Sequence, residues 1–324
     1  RRVHGDHPIM EFHRSFFFLL LSMLFKYGHS GDARGLFEVY QPDPSLTLKY
    51  HNGALLTGNI TVNLIWYGKF STAQKSVVTD FINSLNSPVV RKGPSVATWW
   101  KGTDKYYNNL RGKKLFLRLG MQLSDEVYSL GKTLSDTQIV RLAYKGAARD
   151  AINVVLTSGD VVVDRFCMNR CGTHGSAYSP PKLVKRRRAS KFAYIWVGNS
   201  ATQCPGFCAW PFSKPLYGPQ VPPLVPPNGD LGIDGMVMNL GTLLAGTATN
   251  PFGDGFFQGS KEAPLEAASA CPGVFGKGAY PGYAGDLLTD SATGGSYNGI
   301  GVNGREFLLP ALYDPISFTC SPLV

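Results

Sequence analysis

Few residues in this sequence could do chemistry, and most of them are cysteines. Cys167 and Cys171 stand in CMNRC, Cys204 and Cys208 in CPGFC, and Cys271 and Cys320 follow. Two short Cys pairs can hold zinc, but an even cysteine count on an oxidising secretory route favours disulfides, because that route removes the free thiolates a metal needs. Neighbour pairing, 167 with 171, 204 with 208 and 271 with 320, is one of several connectivities and serves as the working guess. Beyond residue 33 the only histidines are His51 and His174, so a three-histidine metal site cannot be built. CGTHGS brings Cys171, His174 and Ser176 together like a nucleophile and a base. A disulfide at Cys171 and a loop-stabilising His174 explain the same residues more simply. Asp160 with Asp164, and Glu262 with Glu266, are the carboxylate pairs that glycoside hydrolysis would use. G-x-S-x-G, H-E-x-x-H, a P-loop and a dinucleotide fingerprint are absent. The reading leans away from an enzyme and implies no cofactor and no metal.

The residues suited to binding lie elsewhere. The densest basic run, KLVKRRRASK, carries Lys182, Lys185, Arg186, Arg187, Arg188 and Lys191. It reads as a solvated loop or as an anion-binding patch. Trp210, in CAWPF, is the best tryptophan for stacking on a sugar. Trp99 and Trp100 are expected in the core, and Trp196 in a buried strand.

The chain has 324 residues, 44% of them hydrophobic, with a net charge of +10. It is long enough to bury a full core. RSFFFLLLSMLF sets Arg14 before an apolar run, Phe16 to Phe25, which gives way to small and polar residues. This is the layout of a secretory signal, with cleavage expected near Ala33 and Met10 as the expected start. The ten residues of this run span only about 15 Å as a helix, roughly half of a hydrocarbon core. Without residues 1–33 the chain keeps 28 basic and 19 acidic residues. Polysaccharides and anionic head groups are the polyanions such a basic surface would meet outside a cell, and nucleic acid loses weight as a partner. No transmembrane segment is expected, and the oligomeric state is not legible.

The positioning elements can be read from periodicity. LTLKYHNGALLTGNITVNLIWYG alternates around Asn52-Gly53 and predicts a hairpin. Asn59, in Asn-Ile-Thr, is the candidate N-glycosylation site. STAQKSVVTDFINSL predicts a helix opened by a Ser71/Gln74 capping box, and Ser95 behind Pro94 opens a second. A Ser135/Gln138 box opens a third helix. KLFLRLG, AINVVLTSGDVVV and FAYIWVG read as strands. The stretch NLGTLLAGTATNP ends a fourth helix, capped by Asp234 and stopped at Asn250-Pro251. Gly241 and Ala245 would let a neighbour approach it closely. Pro-rich YGPQVPPLVPPNGD reads as a surface loop, and the Gly-rich tail after Phe252 as loops and short strands held by Cys271 and Cys320. Strands interleaved with helices predict an α/β fold with a mixed sheet and packed helices. Residues 34–324 form one domain in this reading.

YHNGALLTGNITVNLIWYGKF, FCMNRCGTHGS, YIWVGNSATQCPGFCAWPF, NLGTLLAGTATNPFGDGFFQG and NGREFLLPALYDP closely resemble the plant EXORDIUM, or phosphate-induced protein, family. The resemblance spans about Leu46 to Val324. It implies a secreted protein of the cell wall or apoplast, linked to brassinosteroid-responsive growth and cell expansion, with no settled biochemical activity. It also implies that some divergent members carry His-Glu-x-x-Glu where this chain has Thr242, Leu243 and Gly246, with an acidic residue in place of Ser269. The helix would then hold the place of a zinc-peptidase active site without its ligands, with Glu266 as the surviving carboxylate. The expected role is non-catalytic binding of an acidic wall polysaccharide or a cell-surface receptor. A wall hydrolase using Asp or Glu is the alternative.

Overall fold

A computed structural model describes residues 46–88, 93–108, 114–146, 151–178 and 191–324. The expected signal region and the run from Lys182 to Arg188 lie outside the described residues. The centre is a five-stranded mixed sheet built from β1 (Gly58–Tyr67), β2 (Leu115–Asp125), β3 (Ala151–Thr157), β4 (Gly172–Tyr178) and β5 (Lys191–Gly198), ordered β2-β1-β3-β5-β4. The first four strands in that order run parallel, and β4 closes one edge antiparallel to β5. Parallel strands need both faces covered, and β3 accordingly is buried along its whole length.

Helices cover the two faces. On one side α1 (Thr72–Ser84), α2 (Val96–Lys101) and α5 (Leu231–Thr249) pack on Val62, Leu64, Ile152, Val154 and Ile195. On the other, α3 (Asp136–Ala143) packs on Ile65, Tyr67, Val155 and Trp196. The period-two alternation within β1 and β3 thus serves two cores. Both predicted capping boxes form, Ser71 with Gln74 and Ser135 with Gln138. Trp99 and Trp100 lie in the core as expected. The short helix α4 (Pro205–Cys208) lies between β5 and α5.

Three expectations are corrected. The hairpin at Asn52-Gly53 does not form. Asn52 adopts the turn-like φ of 62°, but Lys49–Tyr50 pairs with Phe256–Phe257, and Gly53 N donates to the Asp254 carbonyl at 2.7 Å. A local turn signal sets backbone direction, whereas the ladder partner is set by the core. The cap of α5 is Asp230, whose Oδ1 accepts from Gly232 N and Ile233 N, both at 3.0 Å. Asp234 lies inside the first turn, buried, and anchors the Pro-rich loop by accepting from Asn228 Nδ2 at 2.6 Å. The disulfides pair Cys167 with Cys204, Cys171 with Cys208, and Cys271 with Cys320. Only the last follows the neighbour guess. The other two staple CMNRC to CPGFC, because the turn leading into β4 packs against α4.

The tail consists of loops and two-stranded ladders, as expected. One buried side chain, Asn298, organises it. Its Nδ2 donates to Phe275 O at 2.8 Å and Leu309 O at 2.7 Å, and its Oδ1 accepts from Leu309 N at 2.8 Å. No helix of the described residues is long and apolar enough to cross a membrane.

Candidate functional site: a cleft over the apolar helix

α5 is buried nearly all round, which makes it a core helix. One strip of it is not sealed. Asn239, Thr242 and Leu243 form the floor of an open cleft of about 830 Å³ between α5, the edge strand β4 and the segment after α5. β4 contributes His174, the 261–269 segment contributes Lys261, Glu262, Glu266 and Ser269, and the α4 corner contributes Phe207, Cys208 and Trp210.

β4 reaches this position because its first residue has no side chain. A Cβ on Gly172 would sit 2.4 Å from Trp196 O and 2.7 Å from Leu243 Cδ1. The Cys171–Cys208 disulfide fixes the strand's start beside α4. Gly-Thr-His-Gly-Ser has neither apolar alternation nor β-branched enrichment, so the strand escapes a periodicity reading. His174 is therefore a strand residue where the sequence suggested a loop.

At the back of the cleft His174 Nε2 lies 2.7 Å from Glu266 Oε2, and Glu266 Oε1 accepts from Asn250 Nδ2 at 2.7 Å. Asn250 Oδ1 in turn accepts from Gly255 N at 2.7 Å. A carboxylate only accepts, so Nε2 donates, and Nδ1 is buried without a partner among the described residues. The pair sits against α5 at Gly246, where a Cβ would meet Glu266 Oε2 at 2.5 Å and His174 Nε2 at 3.2 Å. Ser269 Oγ accepts from Glu266 N at 2.8 Å and fixes the turn carrying the carboxylate. Glu266 has both oxygens engaged and is 6% exposed, so it closes a structural knot more readily than it meets a substrate.

The cleft's rim has a different character. Trp210 is half-buried, its ring 5.9 Å from that of Phe275. Arg165 and Arg170 both pair with Asp136, and Arg170 also lies 5.2 Å over the Trp196 ring. Lys261 is exposed and has no ion pair among the described residues. Lys191, the last residue of the basic run, opens β5 opposite Tyr178, with its ammonium 4.4 Å over the ring of Phe252, a cleft residue. The described end of the basic run is therefore tied to the cleft, while Lys182, Lys185, Arg186, Arg187 and Arg188 lie outside the described residues.

Cys171, Ser176 and Cys271 also line the cleft, whereas Asp160 and Asn59 do not. Asp160 is held by Lys132, Ser158 and Tyr128, which keep its carboxyl well below the usual range despite partial burial. Asn59 is exposed on β1. Among the described residues no group of three His, Cys, Asp or Glu side chains could hold a metal.

Comparison with known proteins places the chain. It is 62% identical to Protein PHOSPHATE-INDUCED 1 of Nicotiana tabacum over 294 residues, covering 90% of this chain and 93% of that protein. It is 61% identical to Protein EXORDIUM of Arabidopsis thaliana over 315 residues, covering 95% and 98%. Protein EXORDIUM-like 3 of Arabidopsis thaliana is more distant, at 37% over 289 residues, covering 85% and 82%. No solved structure matches, and the zinc-peptidase-like scaffold finds no support. Residues 48–323 match the family described as "Phosphate-induced protein 1 conserved region", and the chain belongs to that family, as its motifs suggested.

Proposed function

We propose that this is a secreted wall or apoplast protein that promotes brassinosteroid-responsive growth and cell expansion by holding an acidic wall polysaccharide, without cleaving it. The observation that carries this reading is the cleft of about 830 Å³, with an aromatic face at Trp210 and free cationic charge at Lys261. An extended sugar acid needs such a trough, an aromatic ring to stack on and cations to meet its carboxylates. Three disulfides fit an oxidising compartment.

The cleft's chemistry supports binding over turnover. A hydrolase would need two working carboxyl groups, and Glu266 is fully committed to His174 and Asn250. The test is binding of the purified protein to an array of plant wall polysaccharides at low and high salt. Selective, salt-sensitive capture of acidic glycans is expected, weakened in Trp210→Ala and Lys261→Ser. Replacing Lys185, Arg186, Arg187 and Arg188 with Ser should reduce the salt-sensitive part, since salt screens charge. Glu266→Gln should keep binding. Capture of no glycan overturns the reading and directs attention to a protein receptor at the plasma-membrane surface. Cleavage of a wall polysaccharide that Glu266→Gln abolishes establishes the hydrolase instead.

A further inference from the structure

Away from the cleft, the sequence Tyr280-Pro281-Gly282-Tyr283 makes a two-residue turn. Tyr280 N donates to Tyr283 O at 3.0 Å, and Tyr283 N donates to Tyr280 O at 2.8 Å. Pro281 supplies the fixed φ of the first turn position, and Gly282, at φ 92°, supplies the positive φ of the second. Two residues that exchange both backbone hydrogen bonds project their side chains to the same face. The two phenol rings accordingly lie with centroids 5.1 Å apart and planes 39° apart. Both are solvent-exposed, Tyr280 at 49% and Tyr283 at 36%. Among the described residues this is the one close tyrosine–tyrosine ring pair with both members exposed. The other, Tyr67 with Tyr128, has Tyr67 fully buried. Tyr283 Oη also donates to Asp286 Oδ1 at 2.6 Å, so a carboxylate stands ready to take the phenolic proton.

We infer that Tyr280 and Tyr283 are a site of oxidative cross-linking, in which a haem peroxidase with hydrogen peroxide joins the two rings within one chain. The balance is simple. Each phenol gives up one electron and one proton, and the two radicals form a carbon–carbon bond between positions ortho to their hydroxyls. The hydrogens on those carbons move to the oxygens and restore both phenols. The two electrons and two protons reduce one peroxide to two waters. The turn provides the proximity that makes coupling within the pair faster than coupling between chains. Asp286 lowers the cost of removing the proton from Tyr283 as the electron leaves.

The experiment treats the purified full chain, disulfides intact, with haem peroxidase and limiting hydrogen peroxide. Tandem mass spectrometry then reads the tryptic peptide Gly278–Arg305, which holds Tyr280, Tyr283 and Tyr297. The expected result is that peptide lighter by two hydrogens, with no fragmentation between Tyr280 and Tyr283. Tyr280→Phe and Tyr283→Phe should each abolish the product, while Tyr297→Phe leaves it. These variants keep the ring packing, and a matching circular dichroism spectrum confirms the fold. Asp286→Asn should slow the coupling. A lightened peptide that persists in Tyr280→Phe, or products that only join separate chains, as exposed Tyr217 would give, overturns the inference.

Discussion

Gly246→Ala offers a test of the knot behind the cleft in which the sign of the effect decides the matter. In the middle of a helix, replacing Gly with Ala ordinarily stabilises by about 1 kcal/mol. Here the added methyl would stand 2.5 Å from Glu266 Oε2 and 3.2 Å from His174 Nε2, so the carboxylate must move. Glu266 is buried and held on both oxygens, so displacing it breaks at least one hydrogen bond to a charged group, costing about 1.5–3 kcal/mol, and leaves a buried partner unsatisfied for a similar further cost. After the helix gain is subtracted, the net loss is about 2–5 kcal/mol, a fall in Tm of roughly 3–9 °C for a domain of this size. Urea titration and a thermal scan of the wild type and the variant measure it. Gly241→Ala, whose Cβ would meet Trp99 at 3.3 Å, is the neighbouring comparison and should be close to neutral. The penalty should also shrink in Glu266→Ala, since the obstructing side chain is gone and the two changes are coupled. A Gly246→Ala protein more stable than wild type by about 1 kcal/mol would refute the knot.

Three further outcomes follow from the fold. Replacing Cys271 and Cys320 with Ser removes a link across 49 residues and should cost about 4 kcal/mol by chain entropy, read from the urea midpoint under non-reducing conditions. Asn298→Ala strips three hydrogen bonds from a fully buried position and should cost about 3 kcal/mol or more, with loosening of the tail visible in hydrogen exchange. Burial alone would raise Asp125 and Asp136, but Ser129 and Lys145 around the first, and Arg170 and Arg165 around the second, hold both below the ordinary 3.8. A depressed carboxyl stabilises the fold above its unfolded value and loses that contribution as pH falls through the folded one. Urea midpoints should therefore be level from neutral pH down to about 5 and fall below about 4. Lys145→Met removes part of that depression, so it should lower stability at neutral pH and make the fall below about pH 4 smaller.

Family and local structure were legible in the sequence because they depend on neighbours along the chain. Ser71 and Ser135 close capping boxes with residues three positions on, so their helices begin where the sequence says. Val62, Leu64, Val154 and Ile195 sit in short apolar runs rich in β-branched residues, which buried strands accommodate. Elements joined by distant residues were not legible. Lys49–Tyr50 takes Phe256–Phe257 as its ladder partner, and Cys167 and Cys171 cross to Cys204 and Cys208, because packing of the turn before β4 against α4 outweighs short loop closure. Asp230 outcompetes Asp234 as the cap of α5, since only burial places Asp234 inside the first turn. The site shows the same division. Sequence supplied Glu266 as a carboxylate after an uncharged helix and Trp210 as a ring beside a disulfide. Only the tertiary structure brought His174 from an edge strand to within 2.7 Å of Glu266, against the bare backbone of Gly246. A strand of glycine, threonine and serine has no periodicity to reveal it, and its position exists only once the sheet, the helix and two disulfides have closed around it.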